Sequence, residues 1–306
     1  MLKRHLARRP PALAALGLLA VGLTACDATR LPPGCAAPDR PGCAEALTAL
    51  LERHRVPAVS VAVVDGSAVV DAWTVGEARP GVPATPATRF QAASVSKPVA
   101  AAVALALVDR GALDLDADVA VSLTSWTLPR GPERGAVSLR RLLSHTAGVN
   151  VPGFGGYRRG RPVPTLFDVL DGRPPATSDP VRVVEPPGRG CRYSGGGYTV
   201  VQQLVADAAG RPFAEAARDL VLRPLAMDRS TFAPLDPAAP DVAWSPGHDG
   251  TAVPGGWHAY PESAAAGLWT TPTDLARFVA ALVRPGRGGG EALSPEAAAA
   301  MTTEHA

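Results

Sequence analysis

The chain has 306 residues, of which 46% are apolar, 19% charged and 5% aromatic, with 31 Gly and 32 Pro. These proportions suit one large or two small globular domains and exclude a fibre, a coiled coil or a disordered polyelectrolyte. The formal charge is +2, but Lys3, Arg4, Arg8 and Arg9 lie in a segment expected to be removed, leaving 26 basic against 28 acidic residues and no basic stripe for nucleic acid.

Residues 1–25 read as an export signal. Cations from Lys3 to Arg9 precede an apolar run, Ala12 to Leu23, that is too short for the roughly 20 residues of a membrane-spanning helix. Leu23-Thr24-Ala25-Cys26 resembles the bacterial lipobox, which makes Cys26 the expected lipidation site. The expected location is therefore outside the cytoplasm, held to the cell membrane by a lipid. A Pro-rich tether follows at 26–43, and 44–306 is expected to be the working domain. The exported part keeps Cys35, Cys43 and Cys191. A Cys35–Cys43 loop that leaves Cys191 free is one pairing open to it. No cysteines or histidines have metal-ligand spacing, and neither a metal nor a cofactor is expected.

Leu47, Leu50 and Leu51 on an Ala-rich background predict a helix over Ala44 to Arg55. Two β-branched runs, Ala58 to Val64 and Ala68 to Val75, flank Asp65-Gly66-Ser67 and predict a β-hairpin. Beyond Glu77 the texture changes to helices separated by Pro/Gly-rich loops. Helices are expected near Val95 to Arg110, Ser138 to Ser144, Gly197 to Ala209, Phe213 to Leu222 and Pro272 to Val283. The stretch Asn150 to Gly190 reads as irregular, apart from a short amphipathic piece at Leu166 to Leu170. At Thr271-Pro272-Thr273-Asp274 an N-cap, a proline at the first helical position and an acid at the third announce a helix start.

The basic residues comprise 28 Arg and two Lys, and loss of the N-terminus leaves Lys97 as the one lysine. A chain this biased towards Arg is expected to use Arg wherever a fixed charge suffices, so a retained Lys points to amine chemistry: a buried Lys can lose its proton and an Arg cannot. Ser94 lies three residues before Lys97, and residues so spaced share a helix face. Pro98 lacks an N–H and is tolerated in the first helical turn, which sets the helix start near Val95. Ser94 then sits at the positive end of the helix, where a developing oxyanion is favoured. Its hydroxyl needs a neighbouring base to become a nucleophile, and a neutral lysine can serve.

With these residues in hand, the sequence resembles the serine β-lactamase and penicillin-binding family, in the branch of class C β-lactamases, D-Ala-D-Ala carboxypeptidases and related esterases. Ser94-Val95-Ser96-Lys97 matches its Ser-x-x-Lys motif. Leu142-Leu143-Ser144-His145-Thr146-Ala147-Gly148 is similar to the branch's Leu-Leu-x-His-Thr-Ser-Gly element, and Tyr193-Ser194-Gly195 stands in the place of Tyr-x-Asn. Ala265 to Pro272, followed by Asp274-Leu275-Ala276, resembles a further signature. The resemblance implies an α+β fold, with an antiparallel sheet flanked by helices beside a mostly helical region. It implies an acyl-enzyme on Ser94, deprotonation assisted by Lys97, and a proton relay through Tyr193. Ser194 and Gly195 are the expected substrate contacts.

Two departures shape the expected activity. Gly195 replaces an Asn that orients the substrate amide in the family's β-lactamases, which favours an esterase or peptidase. The family's three further strands and helix, with a Lys-Thr-Gly or His-x-Gly element, have no counterpart after the Thr271 signature; His248-Asp249-Gly250 precedes that signature and reads as a decoy loop. The expectation is thus a truncated or frame-shifted copy that is poorly active or unfolded. The substrate expected is an ester, amide or D-amino-acid peptide; the rival reading is a catalytically decayed penicillin- or wall-binding lipoprotein. His145 is expected to cap or pack a helix end, and the tryptophans to pack in the core.

Overall fold

The computed structural model describes residues 43–131, 135–236, 238–283 and 292–304. The expected export signal, Cys26, Cys35 and most of the expected tether lie outside the described residues. Cys43 is disulfide-bonded, and Cys191 is a free, exposed thiol.

Helix α1 (Cys43–His54) buries Cys43 and Leu47 and ends on Arg53 and His54, cations suited to its negative end. Strands β1 (Ala58–Asp65) and β2 (Ala68–Arg79) form the expected antiparallel hairpin, from Ala58 opposite Gly76 to Asp65 opposite Ala68, with one irregularity between Val63 and Val64. A short β3 (Val82–Pro83) completes a sheet of order β1-β2-β3. After β4 (Phe90–Gln91) a tight helical turn at Ala93–Val95 leads into α2 (Ser96–Asp109). Then come α3 (Leu139–Leu143), β5 (Tyr157–Arg158), α4 (Leu166–Asp171) and α5 (Gly195–Ala209). Helix α6 (Phe213–Ala217) continues as a wider-pitched turn through Arg218–Leu222. The chain closes with β6 (His258–Ala259), α7 (Ser263–Ala266), β7 (Trp269–Thr270), α8 (Pro272–Val283) and α9 (Pro295–Thr302).

The long expected elements are present with ends shifted by at most a few residues. Helix α5 starts at Gly195 because the Ser194 hydroxyl accepts the Gly197 N–H at 2.8 Å and caps the preceding turn. Helix α7 and the two-residue strands escaped the sequence reading because they are too short to show a period, and α9 because its run of alanines carries no apolar stripe.

Helix α2 is the centre of the molecule. Val99 through Leu107 are all buried, with Ala at five of those nine positions. A helix apolar on every side must be covered on every side, and small side chains let α5, α7 and α9 pack closely against it. The hairpin is covered on one side by α8, with α1 against β2. A second small core gathers Val242, Trp257 and Trp269, the two indoles meeting edge to face at 5.3 Å. Among the described residues no helix is long and apolar enough to cross a membrane.

The start of α8 follows the sequence reading: the Thr271 hydroxyl accepts the Asp274 N–H at 3.2 Å. Asp274 does more than cap. It is fully buried and accepts from the Arg229 N–H at 2.9 Å, the Ser230 hydroxyl at 2.8 Å and Arg277 at 2.7 Å, which ties the 229–230 turn to the helix. Removing a buried, multiply bonded carboxylate strands its donors. Asp274→Ala is expected to lower unfolding free energy by about 3 kcal/mol, read as a fall in the denaturation midpoint at unchanged slope.

Candidate active site

The site is assembled by a short ladder and three helix ends. Antiparallel pairing of β4 with β7 sets Phe90 opposite Thr270 and Gln91 opposite Trp269. The Ala92 N–H then donates to Leu268 O at 2.8 Å. The Ser96 hydroxyl donates to Ala93 O at 2.6 Å and accepts the Leu268 N–H at 2.9 Å. Between these anchors Ala93 takes a φ of 45°, a left-handed conformation rare for a residue with a Cβ. This forced turn leaves Ser94 exposed immediately ahead of α2.

Lys97, one turn along, is only 5% exposed. Its Nζ lies 3.0 Å from Ser94 Oγ and 2.8 Å from Ala265 O, an acceptor presented by α7. The Tyr193 ring lies close by, with its centroid 4.9 Å from the same Nζ. Burial works to raise the Tyr193 pKa, but hydrogen bonding to Lys97 and Ser94, together with the Lys97 charge, outweighs it and holds the phenol below its usual 10.0. Ser94, Lys97 and Tyr193, widely separated in the sequence, therefore share one wall of a cavity of about 360 Å³.

Two further residues that sequence reasoning gave no part in the site border it. His145 does end α3, with a φ of 60°, but its ring enters the cavity. The ring packs against Tyr193 at 4.5 Å and Tyr198 at 5.4 Å between centroids. Its Nδ1 accepts the Ser194 backbone N–H at 3.1 Å. Burial, and then the Lys97 charge, push its pKa down to about 4. It is a neutral ring at neutral pH that supports Tyr193. The hydroxyl of the adjoining Ser144 bonds Arg140 O and Thr146. Tyr198, on the first turns of α5, donates to Leu143 O at 3.0 Å, and burial followed by the neighbouring Tyr193 raises its pKa. The position of His145 within the Leu142–Gly148 motif was the signal available; Tyr198 had none.

Ser194 and Gly195 were expected to meet substrate, and their contacts are otherwise. The Ser194 hydroxyl is buried and occupied, donating to Asn150 O at 2.6 Å while it caps α5. A Cβ on Gly195 would come within 3.1 Å of the Phe154 ring and 3.3 Å of Pro152 O, so this glycine serves close packing of α5 against the 150–154 loop. Gly148 has a stricter role: at φ +67° its backbone lies so near Glu185 that a Cβ would stand 2.2 Å from the Glu185 carbonyl oxygen. Asp249 and Gly250 line a different cavity, beside Pro57 and Glu77, with the Asp249 carboxylate occupied by Thr251. Among the described residues no cluster of His, Cys, Asp or Glu could hold a metal ion.

A buried lysine on a serine hydroxyl, with the Tyr193 ring against its Nζ, completes the set of residues that the sequence motifs pointed to. The sequence profile of the family described as Beta-lactamase matches residues 43–306. The chain belongs to the beta-lactamase family. It is 31% identical over 241 residues to Penicillin-binding protein 4 of Amycolatopsis lactamdurans, an overlap of 76% of this chain and 61% of that protein. It is 33% identical to Esterase EstB of Burkholderia gladioli, over 67% of this chain and 54% of the esterase. The structure of the octameric penicillin-binding protein homologue from Pyrococcus abyssi superposes with a TM-score of 0.67 at 24% identity, covering 84% of this chain and 59% of that one. The fold is thus the beta-lactamase/transpeptidase-like fold, helices with antiparallel sheets. This chain spans between half and two thirds of the length of these relatives.

Proposed function

We propose that this member of the beta-lactamase family is a serine hydrolase that works through an acyl-enzyme on Ser94 and cleaves an ester, amide or D-amino-acid peptide. The observation that carries this reading is the buried Lys97 Nζ at 3.0 Å from Ser94 Oγ. Acid–base catalysis needs the proton acceptor within hydrogen-bonding reach of the hydroxyl. Here Tyr193 shares that task, because hydrogen bonding to Lys97 and Ser94 and the Lys97 charge outweigh burial and hold its phenol below 10.0.

In the proposed reaction Ser94 Oγ attacks the substrate carbonyl carbon while its proton passes to the Lys97–Tyr193 pair. The oxyanion forms at the positive end of α2. Collapse breaks the bond to the leaving group, which takes the proton from Tyr193. Water then attacks the acyl-enzyme, loses its proton to the same pair, and Ser94 Oγ recovers one as the acid departs. His145, neutral and packed on Tyr193, keeps the phenol in place without competing for the proton.

An esterase and a penicillin-binding protein among its relatives support this range of substrates. The N-terminal sequence supports export and anchoring through a lipid on Cys26. Labelling of the full chain with a fluorophosphonate and a fluorescent penicillin tests the proposal. Wild type is expected to label with the fluorophosphonate and turn over an ester substrate, and Ser94→Ala to do neither. Ser94-dependent labelling without turnover would instead support the decayed binding protein, and a folded wild type that does not label would remove the hydrolase reading.

A further inference from the structure

The Ser94 cavity continues past the reacting groups, and its far part has a different character. One wall starts at Ser94, in the turn ahead of α2, and continues along a stripe of α2 through Lys97, Ala101 and Leu105. The three helical residues are spaced four apart, so they lie on one face and extend over about 12 Å of helix. Beyond Lys97 that stripe is aliphatic. Leu115, Leu143 and Met301 line the same space, each half-buried, with apolar surface turned to the cavity. Arg140 also lines it, but its Nε and one terminal nitrogen bind the Asp116 carboxylate at 2.7 and 2.8 Å. With its planar fork occupied and its charge matched, it offers no clamp for an anionic group and contributes mainly its methylene stem. At the other end Tyr193 is 47% exposed, which leaves its side of Ser94 open to water.

We infer that the aliphatic end of this cavity is an acyl-chain subsite: the group transferred to Ser94 is an apolar acyl chain that lies along α2, and the leaving group departs past Tyr193. This rests on the hydrolase reading and adds the chemical class of the acyl group to it. A short polar acyl group would leave the half-buried walls at Leu115, Leu143 and Met301 in contact with water, whereas an alkyl chain removes water from them. Each buried methylene strengthens binding roughly fourfold.

Alkyl fluorophosphonates of increasing length, methyl, butyl and octyl, test the subsite and the nucleophile together on the full chain. The second-order labelling rate at Ser94 is expected to rise roughly fourfold per methylene until the cavity is filled. Met301→Trp, which fills the cavity from α9, is expected to lower the octyl-to-methyl rate ratio by at least about tenfold, the equivalent of two methylenes. Leu115→Trp fills it from the opposite wall and serves if the first variant does not fold. Labelling that is independent of alkyl length, or a ratio unchanged in both folded variants, overturns the subsite and leaves the hydrolase standing. No Ser94 labelling at any length overturns both.

Discussion

Tyr193→Phe is expected to lower the turnover of an ester substrate by roughly 10²–10⁴-fold, the usual contribution of a positioned acid–base group. The substitution removes one oxygen from a side chain that is half exposed, so the fold is expected to survive it. The reason for so large an effect is the company the phenol keeps. Its pKa is held below 10.0 against the pull of burial by hydrogen bonding to Lys97 and Ser94 and by the Lys97 charge, so it is a better proton acceptor near neutrality than a free tyrosine. Activity in wild type should therefore rise with pH along a limb centred below 10.0. Lys97→Met keeps the volume of the side chain and discards the charge, which should move the phenol titration upward, visible as a shift in phenolate absorbance. It also leaves Ala265 O without its 2.8 Å donor, so some loss of stability accompanies it. A Tyr193→Phe enzyme that retains wild-type turnover would show that Lys97 alone handles the proton.

The second large effect concerns stability and comes from Glu262, a residue without a part in the proposed chemistry. Glu262 is 0% exposed, and neither carboxyl oxygen makes a hydrogen bond. Burial raises its pKa from 4.5 to about 7, with a partial offset from its own backbone and from the nearby Tyr157 phenol. Its charge in turn adds to the burial that raises the pKa values of Tyr157 and Tyr260. In the unfolded chain the carboxyl ionises at its ordinary value; in the folded one it keeps its proton to about pH 7. The folded state binds more protons across that window, so stability from this group is full below about pH 4.5 and is lost as the pH climbs through 7. The loss amounts to about 3 kcal/mol. His145 acts in the opposite sense, since its lowered pKa makes stability rise from about pH 4 to its unfolded value. The clean measurement is therefore a difference. Unfolding free energy of Glu262→Gln relative to wild type should grow in favour of the variant by about 3 kcal/mol between about pH 4 and pH 8. A difference that does not change with pH would mean that the carboxyl ionises as it does in water.

Much of the fold was legible in the sequence because its long elements obey local rules. The hairpin at 58–79 follows from β-branched runs about a Gly-containing turn, and α8 from its cap, its proline and its apolar stripe. Helix α2 could be placed from Pro98 alone to within a residue, since a proline has so few permitted helical positions. Ser94 and Lys97 were legible for the same reason: they are three residues apart where a tight turn runs into α2, and that local geometry brings them together.

What tertiary structure decided were the meetings between segments far apart in the chain. Tyr193 carries no local mark of reactivity; its lowered pKa exists because the residues just ahead of α5 come to rest against the start of α2. His145 could be read as a helix terminator, which it is, but that its ring would fall between two tyrosines depends on the packing of α3 against α5. Ser194 and Gly195 were assigned to substrate by their place beside Tyr193, and the structure spends them on a helix cap and a close contact with Phe154. Composition, pattern and spacing act over a few residues and so determined the secondary elements, the Ser94–Lys97 pair and the family. Charge environment, cavity shape and the burial of Glu262 depend on which distant surfaces exclude water from one another, and those were settled only when the chain had folded.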